Sequence, residues 1–301
     1  MNASARVWQT ASAQEVLDGA GVVWFVPAIL GQLLFAAYIF VHYWASAAVG
    51  DFVKWNKTLI HPLMAGNAVG NGFIVMHITL ALIITVGGPV QVVLGWLATR
   101  EGTSRLPARL RGRLLRVHRW VGRSYVVTAA LISAGAIWLT STQRPLLFHA
   151  GPTPSIAAAA ASDTNGTLIV VCALLAIGYA RAGKIDAHRH WALLTFLMVS
   201  GVWFIRIGYG FWTVATGRPP FGGGAPGTTS DMDGWFDMFI VFARFIVPWI
   251  VLEFYFYARR TADSRVKMFA AGTLAAAAVV VSVGTVGAAR LMWLPNMLTP
   301  R

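Results

Sequence analysis

Residues 235–258 read WFDMFIVFARFIVPWIVLEFYFYA, an apolar run long enough to cross a bilayer as a helix, with Arg244 in its interior. A second run, 191–214 (WALLTFLMVSGVWFIRIGYGFWTV), carries Arg206 in the same way. No carboxylate lies within four residues of either arginine on its own helix. A guanidinium at membrane depth costs about 2.5–3.5 kcal/mol even on the gentlest insertion scale, so such residues face a cavity, a partner or an anion. These two runs decide the fold class, and their arginines are the first candidates for a site.

Composition agrees. The 301 residues are 57% hydrophobic and 12% charged, with mean hydropathy +0.63. A soluble domain carries about twice that charged fraction. The 13 Trp and 7 Tyr suit two interfacial belts. The lone Cys172 excludes an internal disulfide and a Cys-based metal cluster. Residues 1–20 are polar and lack the apolar core of a signal peptide, so the first span is expected to direct insertion.

Seven stretches are long enough to span: 22–45, 73–98, 119–140, 166–182, 191–214, 235–258 and 269–292. The expected organisation is an all-α polytopic bundle over 22–292, after an N-terminal segment, 1–21, and before a tail, 293–301. Turn signals place loops at GPTPSIAAAAASDTNG (151–166) and GRPPFGGGAPGTTSDMDG (217–234). Gly87, Gly88 and Pro89 are expected to interrupt the second span, because proline removes a helical hydrogen bond.

Basic residues set the orientation. Arg6, the arginines between Arg100 and Arg123, Arg181, Lys184, Arg189, Arg259, Arg260, Arg265 and Lys267 fall on one side. Lys54, Lys57, Arg144, Arg218 and Arg301 fall on the other. The positive-inside rule then puts the N-terminus in the cytoplasm and the C-terminus outside. The net charge of +13 needs no nucleic acid. The juxtamembrane run RLPARLRGRLLRVHRWVGR (105–123) meets anionic lipid head groups instead. No internal repeat supports an inverted-repeat transporter, and no oligomeric state follows from the sequence.

Helical rise gives each histidine a depth. His42 and His77 match near the outer ends of the first two spans, while His118 and His188 match at the inner face and His190 points elsewhere. His61 and His149 fall in outer loops. Paired histidines from different spans are what bis-histidyl haem b ligation requires, and two such layers would form a wire across the membrane. Arg123, with Arg119 and Arg189, would pair with propionates at the inner layer. The competing reading makes each histidine a hydrogen-bonded interfacial anchor. Arg206 and Arg244, with His77, form an outer-half layer suited to an anion, a quinone or a lipid head group. The competing reading there is a snorkelling ion pair of Arg244 with Asp237. Glu253 and Gln91 share a depth in the inner half, as proton carrier or as glue between helices. There is no HExxH, GxSxG, P-loop or CxxCH, which disfavours hydrolase, ATPase and covalent-haem readings.

His77, then GGPVQ (87–91), HRWVGRSY (118–125), KIDAHRHW (184–191) and Arg206 resemble a bacterial family of predicted membrane proteins, domain of unknown function 2306. The resemblance covers about residues 73–210. It implies a bacterial cytoplasmic membrane and picks out His77, Gln91, His118, Arg123, His188 and Arg206, without implying a reaction. The family's second histidine block continues Trp-Met-x-Arg, whereas this chain has Trp191, Ala192, Leu193 and Leu194. The helical arrangement is also reminiscent of di-haem cytochrome b transmembrane reductases, an analogy of architecture.

Three functions remain open on sequence: a haem-b or quinone-linked redox protein, a transporter or lipid- and anion-handling protein with an outer polar cavity, and a non-catalytic scaffold. The topology is testable first. Reporter fusions in the 100–118 and 259–267 segments should report a cytoplasmic location; an external signal from both would invert the bundle.

Overall fold

The computed structural model describes residues 3–58, 63–99, 107–142, 152–219 and 224–298, which leaves His61, His149, Arg144 and Arg301 outside it. Among the described residues there is no strand. Helix α1 (Ala3–Ile39) continues through a π-helical turn (Phe40–Ala45), followed by the short α2 (Val53–Asn56). Then come α3 (Ala68–Thr99), α4 (Ala108–Thr142), α5 (Pro152–Arg181), α6 (Ile185–Val199) and α7 (Gly201–Thr216). Last are α8 (Trp235–Arg260), α9 (Ser264–Ala288), a second π-helical turn (Ala289–Trp293) and α10 (Leu294–Leu298). Six of these helices are long and apolar enough to cross a membrane, and seven if α6 and α7 count as one broken span. The chain is an all-α, multi-pass membrane protein.

Three expectations about the spans change. The Ala-rich run placed in a loop at 151–166 is helical from Pro152 and forms the first turns of α5, because alanine is the best helix former and little in the run opposes it. Gly88 and Pro89 do not interrupt the second span; α3 runs through Pro89 unbroken. The break falls instead at Ser200, where α6 and α7 meet at 57°. A Gly/Ser pair is a known cause of sharp bends, and Ser200-Gly201 is that pair.

The helices pack in the order α7, α9, α1, α3, α4, α5, α6, while α8 fills in against α5, α6, α7 and α9. One apolar cluster, with Phe35, Tyr38, Trp55, Trp203, Tyr209 and Trp293, fills one end of the bundle. A second, with Tyr125, Cys172, Leu194, Phe196 and Leu252, fills the half toward the arginine-rich end. That arginine-rich end, where the exposed Arg109, Arg111, Arg113 and Arg116 open α4, is called the basic end below. There Leu17 packs against Ala258 and Ala270, while Lys267 Nζ donates to Gln14 Oε1 at 2.8 Å.

The tightest seam joins α7 to α9. A β-carbon at Gly210 would run into the Gly284 carbonyl and the Ala288 amide, and one at Gly284 into the Ile207 carbonyl. Gly287 faces the Gly210 carbonyl in the same way. With no hydrophobic force between helices in lipid, such close backbone contact is what holds them together. Gly210→Leu should therefore lower stability in detergent by about 3 kcal/mol or more, the upper end for overpacking. Thermal unfolding checks this, with Gly178→Leu as the control, since nothing lies near a β-carbon at that position.

Candidate functional site

Polar side chains gather in three places along the bundle axis. At the basic end, His118 of α4 faces His188 of α6, with ring centres 6.3 Å apart and planes at 83°. His188 Nδ1 bonds to the Ala176 carbonyl at 2.9 Å. A carbonyl only accepts, so Nδ1 carries the proton and Nε2 is the free nitrogen. His118 Nδ1 is buried without a partner. Its ring lies beside Gly95 of α3, where a β-carbon would come within 3.2 Å of Cε1. Gln91 Nε2 donates to the His118 carbonyl at 2.9 Å, and Gly122 leaves the room that the Gln91 amide occupies. One α3 residue thus steers the start of α4 while another gives the imidazole its seat.

Around this pair the expected roles divide. Arg119 and Arg123 are exposed, and the Arg123 guanidinium stacks over Trp120 at 5.3 Å. His190, which points away from the pair as expected, bonds Glu253 Oε1 at 3.0 Å and packs on Phe256. Glu253 is not a buried proton carrier, because its side chain is 47% exposed and also accepts from Trp249 Nε1 at 3.1 Å.

The second gathering surrounds the break at Ser200, near mid-span. Gln32 Nε2 of α1 donates to Ser200 Oγ at 3.1 Å, which itself donates to the Phe196 carbonyl at 2.7 Å. Asn165 Nδ2 of α5 donates to the Met198 carbonyl at 3.3 Å. Arg244 of α8, only 8% exposed, donates from Nη2 to Ser162 Oγ at 3.0 Å, and its Nε has no partner.

The third gathering lies at the end away from the arginines. His42 is fully buried, stacked on Tyr38 at 5.2 Å and edge-on to Tyr43 at 4.7 Å. Its Nδ1 donates to the Asn296 carbonyl at 3.2 Å. In the neutral ring Nε2 then accepts from Thr58 Oγ1 at 2.7 Å, and Thr58 Oγ1 meets the Tyr43 hydroxyl at 3.1 Å. Both ring nitrogens are engaged, so His42 is a structural anchor joining α1, the Thr58 turn and the C-terminal helix. His77, half-buried on α3 with an unpartnered Nδ1, makes no ring contact with it. The outer histidine pair is not assembled. An apolar cavity of about 490 Å³ beside this cluster is lined by Trp44, Ala47, Ala48, Phe52, Trp55 and Val75.

Arg244 turns to α5, where it bonds Ser162, and His77 Nδ1 has no partner, so no hydrogen bond joins the two. The expected Arg244–Asp237 ion pair is also absent. Asp237 is 1% exposed and accepts from Tyr209 Oη at 2.6 Å, Thr229 N at 3.0 Å and Gly234 N at 3.0 Å. It caps α8 and ties down the preceding loop.

Sequence reasoning missed Gln32, Ser162, Asn165 and Ser200. The available signal was the number of polar side chains falling at one depth on different spans, together with the Ser-Gly pair inside an apolar run. A double-mutant cycle checks the reassigned aspartate. Asp237→Ala alone should cost roughly 2–4 kcal/mol, since three donors lose a charged acceptor. Its coupling to Arg244→Gln should stay within about 0.5 kcal/mol, as for residues that share no partner. Coupling well above that would restore the ion pair.

No family model, no curated protein and no solved structure matches the chain, so its functional reading rests on this geometry.

Proposed function

We propose that the protein binds a single haem b at its basic end, where His118 and His188 would hold it, and serves in electron transfer at that membrane face. The observation that carries this reading is the 6.3 Å separation of the two rings. Two imidazoles bound to one metal atom at about 2.0–2.1 Å through nitrogen have centres about 6 Å apart.

The donor set fits. Among the described residues no three His, Cys, Asp or Glu side chains converge. A bare divalent ion would therefore lack ligands, whereas haem iron asks the protein for only two. The His188 Nδ1–H to Ala176 carbonyl bond is the outer-shell contact that fixes tautomer and ring orientation in ligating histidines. Gly95 keeps α3 clear of the His118 ring. Arg119, Arg123 and Arg189 bring positive charge to the same end, suited to carboxylate side groups. When bound, haem would supply a one-electron couple; the chain would supply the two imidazoles that hold it, and Tyr125, Phe196 and Leu194 belong to the apolar cluster of the same half. His42 takes no part, because its nitrogens are already engaged. The expected two-layer wire thus reduces to one haem.

With the N-terminus in the cytoplasm, the haem would sit at the cytoplasmic face. Full-length protein expressed with ample haem and purified in detergent should show a Soret band at about one haem per chain. His118→Ala or His188→Ala should remove most of it, and His42→Ala should retain it. No Soret band in the folded wild type would end the haem reading, as would a quinone co-purifying in its place.

A further inference from the structure

The break between α6 and α7 places a second set of groups together that the haem reading does not use. Helix α7 (Gly201–Thr216) begins in the middle of the bundle, and its first-turn N–H groups have no acceptor within their own helix. Ser200 does not cap it with its side chain, because its hydroxyl donates back to Phe196 and receives Gln32. The positive end of the helix dipole is therefore uncompensated inside the protein. Beside it stands Arg244. A β-carbon at Gly201 would lie 3.5 Å from Arg244 Cδ and 3.2 Å from Asn165 Nδ2, so both side chains flank the first residue of α7.

Each flanking residue has an unmet polar atom. Arg244 is 8% exposed and Asn165 7%; Arg244 Nε and Asn165 Oδ1 are buried without partners. The ion pairs among the described residues are Arg189–Asp186, His190–Glu253 and Arg259–Asp18, and none involves Arg244. Asp163, one residue from Ser162, is engaged by the Thr140 hydroxyl. A full positive charge and a helix N-terminus thus lie side by side, with neutral Ser162 Oγ as the only side-chain acceptor of the guanidinium among the described residues. Two adjacent positive centres in a low dielectric repel one another, and an anion between them removes both penalties.

We propose that the α6–α7 break is a binding site for one carboxylate, held by Arg244 and the first-turn amides of α7. A carboxylate matches a guanidinium fork in shape as well as charge, and broken membrane helices present their N-terminal halves to substrate carboxylates in this way. The absence of a side chain at Gly201 keeps the approach to those amides open. The carboxylate can belong to a small water-soluble acid or to the head group of a membrane fatty acid, and the test separates the two.

The experiment measures thermal unfolding of the full-length protein in neutral detergent. Sodium acetate and oleate are titrated separately, each against sodium chloride at equal ionic strength. A rise in Tm with acetate assigns a small acid, and a rise with oleate alone assigns a lipid carboxylate. Apparent affinity should weaken about tenfold or more in Arg244→Gln, as for loss of a charged hydrogen bond. Arg206→Gln should keep wild-type affinity, since Arg206 is not among the side chains that flank Gly201. If Arg244→Gln does not fold, Gly201→Val tests the same site by filling the approach, and it should abolish the shift. A Tm that follows chloride as closely as both carboxylates, or a carboxylate shift that survives Arg244→Gln or Gly201→Val, overturns the proposal. The Soret band should persist in Arg244→Gln, so failure of this site and failure of the haem site remain distinguishable.

Discussion

In hydrocarbon every backbone hydrogen bond lost at a helix break must be replaced by protein groups, because water is not there to do it. At Ser200 two helices supply part of that replacement, and the first amides of α7 are left over. Gln32 of α1 holds the Ser200 hydroxyl, and Asn165 of α5 holds the Met198 carbonyl at the end of α6. The rest of the arrangement follows from this anchored bend. It sets the direction of α7, brings α7 against α9, and leaves the start of α7 beside Arg244 between the two large apolar clusters.

Two histidines at opposite ends show how local partners decide a role. His42 and His118 are both on membrane-spanning helices and both turned inward. At His42 the Asn296 carbonyl and the Thr58 hydroxyl take the two ring nitrogens, so the ring ties three segments together and has no lone pair to offer. At His118 the backbone carbonyl, not the ring, takes the nearby amide of Gln91. His188 spends only Nδ1 on the Ala176 carbonyl. A histidine with one engaged nitrogen is oriented and still has coordinating capacity; one with both engaged is an anchor.

The span-forming runs and the matched depth of His118 and His188 were legible in the sequence, because hydropathy and helical rise alone determine both. The pairing of His42 with His77 was not, since equal depth says nothing about azimuth, and α1 turns His42 toward the C-terminal helix. The Arg244–Asp237 reading failed for a related reason. Two turns on one helix bring side chains to one face, but the 225–234 loop reaches Asp237 first and engages Oδ2, while Tyr209 of α7 takes Oδ1. Pro89 attracted attention as a breaker and proved to lie inside a continuous helix. The real break was written as Ser200-Gly201, two small residues that hydropathy passes over. Asn165 stood at the border of an underestimated span, where the turn signals of its neighbours outweighed the helix propensity of the alanines before it.

The bend also explains why one span serves two sets of partners. Helix α6 packs on α5 and α8, whereas α7 packs chiefly on α9. The α7–α9 seam depends on Gly210, Gly284 and Gly287 bringing backbones into contact, a geometry that fixes the axis of α7 closely. A straight continuation of α6 could not follow that axis, as the two halves differ in direction by 57°. The glycine seam and the polar anchors at Ser200 therefore stabilise the same bend from its two sides. A positive helix end in the middle of the bundle is its direct consequence. Arg244 adds to that field rather than cancelling it, and this sum of positive charge is the physical basis of the proposed carboxylate site.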